Sequence, residues 1–363
     1  MYQYPLIKPY INDTVRKKVM DVLDSGYLTE GPVTAEFERQ IKKFLGCPHA
    51  IAVTSCTVGL EMALRAYGIG HGDEVIVPDY TYPATASAVC IAGAVPVIVD
   101  IDFNTMLIDY DAAAAAVTKK TKAIIPVSLF GNPLNYDLLG KIKKKYNLKI
   151  IEDAACALGA SYNNVRVGNQ ADISVFSLHP RKFITTGEGG IITTGNAQAA
   201  EWLHSYKHFG ISKSESREST EFAIIGANYK LSNVLAAIGL GQMEDIDILL
   251  KERALLVNRY TELLAGSGIT LPSVISGGSH SWQTFSVLIK NRDTVLKGLR
   301  SRGIEAQIGT YALHMHPAFT TYTDKKKYPN SLRAFHECLA LPLYHGLQEA
   351  DQQYIIAELK KLL

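Results

Sequence analysis

Three things are scarce in this chain, and each scarcity removes a class of answer. The first is charge of one sign. Thirty-seven Lys and Arg stand against 35 Asp and Glu, a formal net charge of +2 with the signs well mixed. That leaves no electrostatic footprint for nucleic acid, and the lysine triplets at 143–145 and 325–327 read as solvated surface. The second is long apolar runs. No uninterrupted stretch approaches a membrane-spanning length, and Asp100 and Asp102 break up the longest candidates, so no membrane partner is expected. The opening Met1-Tyr2-Gln3-Tyr4-Pro5 has no basic segment followed by an apolar one, so no signal peptide is expected. The third is cysteine. Five residues, at 47, 56, 90, 156 and 338, are odd in number and lack metal-type spacing. They predict reduced thiols, a cytoplasmic protein and no metal site.

What is present supports a large core. Hydrophobic residues make up 47% and charged residues 20% of the 363, which argues against disorder. At roughly 150 residues per domain the length suggests two domains. The expected division is an α/β domain over 1–240, including the N-terminal segment, and a smaller α+β domain over 241–363.

Between residues 50 and 195 short β-branched runs alternate with segments of helical spacing. The runs are Ala50–Val53, Glu74–Val77, Val95–Val99, Ala123–Val127, Lys149–Ile151, Ile173–Phe176 and Ile191–Thr193. Between them Gly59–Tyr67, Ala84–Ile91, Asp111–Val117 and Leu138–Tyr146 carry apolar residues at helical intervals. Such alternation predicts a mostly parallel sheet covered by helices on both faces. Residues 195–225 are polar and read as an irregular, mobile loop. A long helical pattern runs from Ser232 to about Leu264 and reads as a link between domains. A strand over Ser281–Ile289, a helix near Thr294–Arg302 and a closing helix over Glu349–Leu362 complete the chain.

Ligands of parallel sheets collect beyond the carboxyl ends of the strands. Three residues with chemistry to offer fall there: Asp153, Ser177 and Lys182. Alone, Lys182 reads as an exposed lysine and Asp153 as a helix cap. Together they are the pair a pyridoxal-phosphate enzyme requires. The lysine holds the cofactor as a Schiff base, and the aspartate keeps the pyridine nitrogen protonated so that the ring accepts electrons. Ser177 is placed to donate to a phosphate, and glycines 187, 189 and 190 let backbone pass close to a ligand. Thr54-Ser55-Cys56-Thr57 leads into a helix, where small hydroxyls both cap the helix and make a phosphate site. In Tyr80-Thr81-Tyr82-Pro83 one tyrosine either stacks on a flat cofactor ring or packs under the loop.

Taken in order, these segments resemble the DegT/DnrJ/EryC1/StrS family of sugar aminotransferases. The resemblance is carried by Ser55-Cys56-Thr57, Val77-Pro78-Asp79-Tyr80-Thr81-Tyr82-Pro83-Ala84-Thr85-Ala86 and Glu152-Asp153-Ala154-Ala155. It continues through Ser177-Leu178-His179-Pro180-Arg181-Lys182, Thr186-Gly187-Glu188-Gly189-Gly190, Gly226-Ala227-Asn228-Tyr229-Lys230-Leu231-Ser232 and Tyr311-Ala312-Leu313-His314-Met315-His316-Pro317. It implies an α/β pyridoxal-phosphate-dependent transferase fold of the aspartate-aminotransferase type (fold type I), with a small α+β C-terminal domain. It also implies a homodimer with shared active sites. By position Lys182 matches the Schiff-base lysine and Asp153 the pyridine-nitrogen partner. Tyr82 matches the stacking aromatic, and Cys56, Thr57 and Ser177 stand where the phosphate is bound. Asn228 matches a residue that reaches the phosphate of the neighbouring subunit's cofactor.

Two positions depart from the family pattern. Cys156 stands where the family has Gln or His near the cofactor's ring oxygen, and a thiol is a weaker partner. Lys230 replaces an arginine, so a bidentate contact would not survive. Relatives that remove a hydroxyl carry histidine at the place of Lys182, so the lysine favours transamination. The resemblance therefore implies amination of a nucleotide-linked keto-sugar, with pyridoxamine phosphate formed during turnover and glutamate as donor. The rivals are a dehydratase or aromatising reaction on the same cofactor, and a regulatory homologue without turnover.

Overall fold

The computed structural model describes residues 2–214, 216–324 and 327–363. Two members of the lysine triplet 325–327 thus lie outside the described residues. Seven strands form the central sheet in the order His49–Val53, Gly190–Thr194, Ile173–Ser177, Lys149–Asp153, Thr121–Ile124, Glu74–Pro78, Val95–Val99. Only Gly190–Thr194 runs antiparallel to its neighbours. The strands are buried on both faces, which is why they read as continuous apolar runs. Ile151, Ile173 and Val175 enter one core layer while Ile150, Ile124 and Ile76 enter the other. Each such side chain contributes roughly 1.5–3 kcal/mol on burial.

The expected strands are all present. The fourth, Thr121–Ile124, starts earlier than expected and ends sooner because Pro126 has no N–H to offer a ladder, and the strand expected over Ser281–Ile289 is confined to Phe285–Leu288. Two expectations differ more. The segment 195–225 is not one irregular loop: it opens with the helix Ala197–Lys207 and continues into the hairpin Ile211–Lys213 with Glu221–Phe222. Asn196 caps that helix by accepting from Ala199 N–H, and Ala199, Ala200, Leu203 and Lys207 form its buried stripe. The long link is two helices, Asn233–Met243 and Ile246–Leu264, broken at Glu244–Asp245. The Asp245 carboxylate is engaged there by the Tyr10 hydroxyl (2.8 Å) and the Asn12 amide (2.9 Å).

The C-terminal part builds its own core around a three-stranded antiparallel sheet, Phe285–Leu288, Cys338–Leu341 and Gln307–Ile308. Leu256, Tyr260, Val295, Leu339 and Ile355 fill it, and Tyr4 packs against it from the chain's start. The N-terminal segment is tied here as well: Tyr4 N–H donates to Gly303, and Leu343 N–H to Leu6. Two short ladders join this part to the rest of the chain, Tyr311–Ala312 with Tyr80–Thr81 and Gly278–Ser279 with Ser161–Tyr162.

Candidate active site

The carboxyl ends of Lys149–Asp153 and Ile173–Ser177 open into a cavity of about 710 Å³. Asp153, Ser177, Lys182, Cys56, Thr57, Tyr82 and Cys156 all line it. Strand alternation decides which of two adjacent carboxylates faces it. Asp153 points to the cavity, whereas Glu152 turns into the opposite core layer. There the Glu152 carboxylate accepts from the hydroxyls of Ser128 (2.5 Å), Ser174 (2.7 Å) and Tyr136 (2.8 Å).

Asp153 is only 4% exposed. Its Oδ2 accepts from Thr85 Oγ1 at 2.7 Å and its Oδ1 from Ala155 N–H at 3.1 Å. Burial pushes its pKa up, against the pull of Thr85, Ala155 and Lys182. Each oxygen keeps a lone pair for a further donor.

Lys182 sits on the loop after Ser177. Its N–H donates to His179 C=O at 2.8 Å, and the loop closes through Thr186 N–H on Leu178 C=O at 3.0 Å. Gly187 supplies the left-handed turn, with φ +88. The glycine at 190 serves the backbone rather than a ligand: a Cβ there would lie 2.7 Å from Cys56 N. The Lys182 ammonium donates to Cys156 Sγ at 3.1 Å. Burial pulls its pKa down, but Cys156, Cys56 and Asp153 outweigh that and leave it above the ordinary value. Cys156 is thus beside the lysine, and the departure from the family pattern has a visible partner. Cys56 is a half-buried thiol held well above its usual pKa by desolvation.

Ser55 caps the helix Cys56–Ala66, accepting from Val58 N–H at 3.2 Å, so both roles foreseen for this segment are available. The N–H groups at Cys56 and Thr57 remain for an anion. Tyr82 is 64% exposed and contacts Tyr311 edge-on, with ring centroids 6.0 Å apart. The other tyrosine, Tyr80, is buried and donates nothing to the cavity. Asn228 does not line the cavity within one chain; its Oδ1 accepts from Lys230 Nζ at 2.6 Å. Lys230 itself lies 4.4 Å from the centre of the Phe209 ring.

Sequence reasoning missed the supporting shell. Gln283 accepts from Phe183 N–H at 2.9 Å and donates to Arg181 C=O at 2.7 Å, bracing the lysine loop from the C-terminal part. Buried Arg253 in turn donates to the carbonyls of Trp282 (2.8 Å) and Gln283 (2.9 Å). Opposite, His314 Nδ1 and Asp79 Oδ2 lie 2.6 Å apart, both fully enclosed, and His314 N–H donates to Asp79 Oδ1 at 2.8 Å. His314 anchors the segment 307–311 that forms the far wall. The histidine was visible in the sequence; its partner lies 235 residues away.

A mostly parallel sheet with one reversed strand, and a lysine loop set against a strand-end aspartate, place the fold among pyridoxal-phosphate-dependent transferases of the aspartate-aminotransferase type. The chain belongs to the DegT/DnrJ/EryC1/StrS aminotransferase family, whose sequence profile matches residues 9–360. It is similar to the GDP-perosamine synthase of Caulobacter vibrioides, 37% identical over 98% of this chain and 97% of that protein. Among solved structures it resembles the PLP form of the sugar aminotransferase Spr1654 from Streptococcus pneumoniae. That likeness has a TM-score of 0.93 at 30% identity, over 99% and 98% of the two chains. Helicobacter pylori PseC, an aminotransferase involved in pseudoaminic acid biosynthesis, gives 0.94 at 26% identity over 99% and 98%. The protein is a sugar aminotransferase that uses pyridoxal phosphate. No helix among the described residues is long and apolar enough to cross a membrane, and none of their side chains group as a metal site.

Proposed function

We propose that this aminotransferase converts a keto group on a nucleotide-linked sugar into an amine, with glutamate as the donor. The observation that carries the reading is the convergence of Lys182, Asp153, Ser177 and Thr57 on one cavity at the carboxyl end of the sheet. When bound, pyridoxal phosphate would supply an electron sink for the electron pair left on the donor's Cα as its proton departs. Lys182 would hold the cofactor's carbonyl carbon at rest and, once displaced by the donor amine, would move the proton between Cα and C4′. Cys156 Sγ, which accepts from Lys182 Nζ at 3.1 Å, stands beside the lysine's place of action. Asp153 keeps the ring nitrogen protonated through its charge. Ser177, Thr57 and the helix start at Cys56 would bind the phosphate, and Tyr82 would cover the ring face. Arg181 lines the cavity and forms no ion pair with the described residues, which suits it to a phosphate of the sugar's nucleotide.

The nucleotide linkage also draws on a relative whose name specifies a GDP-linked product. The reading includes a homodimer in which Asn228 of one chain reaches the phosphate of the other, consistent with its place outside its own cavity. It includes a division into domains at 240/241, within the last turn of the first linking helix and just before its break. In purified protein loaded with pyridoxal phosphate, glutamate should convert the bound cofactor to pyridoxamine phosphate. A nucleotide-linked keto-sugar should then return it while gaining an amine. Conversion by another amino acid but not glutamate would overturn the donor assignment. Equal use of the free keto-sugar would overturn the nucleotide.

A further inference from the structure

We propose that Thr85 is a positioning residue of the reaction, its hydroxyl held by Thr81 so that it aims the Asp153 carboxylate into the cavity. The proposal rests on the reading of Asp153 as partner of the cofactor's ring nitrogen. Thr81 and Thr85 are both enclosed, at 1% and 0% exposure. Thr85 Oγ1 lies 2.7 Å from Asp153 Oδ2, 2.9 Å from Thr81 Oγ1 and 3.2 Å from the carbonyl of Tyr82. A hydroxyl has one proton to give. The shorter contact, to a carboxylate, takes it, because charge-assisted bonds are about twice as strong as neutral ones. Thr81 then donates to Thr85, and the chain of hydroxyls has one direction: Thr81 to Thr85 to Asp153. Ala155 N–H fixes the second carboxylate oxygen at 3.1 Å, so the group is held at both ends.

The fold explains why the pair can do this. Thr81 stands on the short strand against Tyr311, and Thr85 follows the Tyr82-Pro83 turn on the first turn of the helix Ala84–Ile91. That helix has no side-chain cap, so the Thr85 hydroxyl is not needed as one. The titratable groups acting on Asp153 are Lys182, Cys56 and, across the sheet, Glu152. Against burial, the Thr85 hydroxyl is the strongest of the influences that keep Asp153 ionised.

The test compares wild type, Thr85→Val, Thr85→Ser, Asp153→Asn and the Val/Asn double variant, each loaded with pyridoxal phosphate carrying ¹⁵N in its ring. The valine matches the threonine in shape and removes only the hydroxyl. The expected result is a fall in kcat of about tenfold or more, with KM within about twofold; tenfold corresponds to roughly 1.4 kcal/mol of barrier. The ¹⁵N resonance should move toward that of an unprotonated pyridine, and Thr85→Ser should restore both readouts. In the Asp153→Asn background Thr85→Val should change neither. A Thr85→Val enzyme with unchanged resonance and a rate within about twofold of wild type would overturn the proposal. So would the same loss in the Asp153→Asn background, which would make Thr85 a structural residue only. Should Thr85→Val not fold, Thr85→Ala takes its place in every comparison. Failure of the underlying reading is distinct: Asp153→Asn itself would then leave rate and resonance intact, which overturns both.

Discussion

The two walls of the cavity are held by different means. The wall with Asp153 and Ser177 belongs to the central sheet, where neighbouring strands fix both residues through backbone ladders, and Lys182 stands on the loop that follows. The facing wall, Gln307 to Tyr311, has only two-residue ladders at its ends, Gln307–Ile308 on Leu339–Ala340 and Tyr311 on Thr81. It leans besides on side chains: His314 on Asp79, and Tyr80 Oη accepting from Thr310 N–H at 3.2 Å. A long ladder tolerates the loss of any one side chain better than a wall with short ladders that leans on side-chain tethers. Chemistry should therefore be separable from stability on the first wall and inseparable on the second.

Replacing Lys182 by alanine gives the sharpest form of that contrast. Turnover should fall by more than about 10⁴-fold, since base catalysis and cofactor attachment go together. The thermal midpoint, read by calorimetry without cofactor, should stay within a few degrees. Mixing this variant with an Asn228→Ala variant that is itself inactive should restore activity on subunit exchange, because one site of the hybrid then carries neither change. No rescue between two such variants would place Asn228 and Lys182 in the same site.

Replacing His314 by alanine should do the opposite. A buried Asp79 left without its partner costs roughly 3 kcal/mol, and the thermal midpoint drops accordingly. KM for the sugar should rise about tenfold while kcat changes less than about threefold, because the wall moves and the lysine does not. An unchanged midpoint with a large fall in kcat would erase the distinction between the walls.

The smallest effect concerns the bracing loop. His280 is stacked on Trp282 with centroids 4.0 Å apart, and its Nδ1 accepts from Trp282 N–H at 2.8 Å, which requires the neutral ring. Burial lowers its pKa to about 3. Above the ordinary value of about 6.5 the ring is neutral folded or unfolded and contributes no pH dependence. As pH falls below that value the unfolded chain takes up a proton that the folded protein refuses, so stability is lost down to the folded pKa. Urea unfolding should show this as a slope of roughly 1–3 kcal/mol across the window, flattened in His280→Gln. A slope unchanged by the substitution would assign the acid sensitivity to another group.

The same contrast governs what could be read from the chain beforehand. The β-branched runs at Lys149–Ile151 and Ile173–Phe176 announce their strands, and a strand's end is where Asp153 and Ser177 stand. Those positions follow from local pattern alone. Thr85 sits in Ala84-Thr85-Ala86, which looks like any helix start, and its acceptor lies 68 residues away. Asp79 looks like a loop aspartate until the fold brings His314 to it. The helix Ala197–Lys207 was hidden because its outer face is polar and one of its buried positions is a lysine, neutralised by Glu30 and Glu38 at 3.1 and 3.2 Å. Long-range pairing has no periodicity to betray it.

The stretch from Asp79 to Thr85 meets both walls at once: Asp79 receives His314, Thr81 pairs with Tyr311, Tyr82 lines the cavity and Thr85 touches Asp153. For sequence change over generations this makes substrate choice and reactivity a shared inheritance. A far wall acquired from a relative would meet an unmatched Asp79–Thr85 stretch, and the mismatch would surface as lost rate at Asp153 rather than as a new preference. Grafts of the 307–316 segment should therefore succeed only when residues 79–85 travel with them, and paired substitutions between the two should depart from additivity.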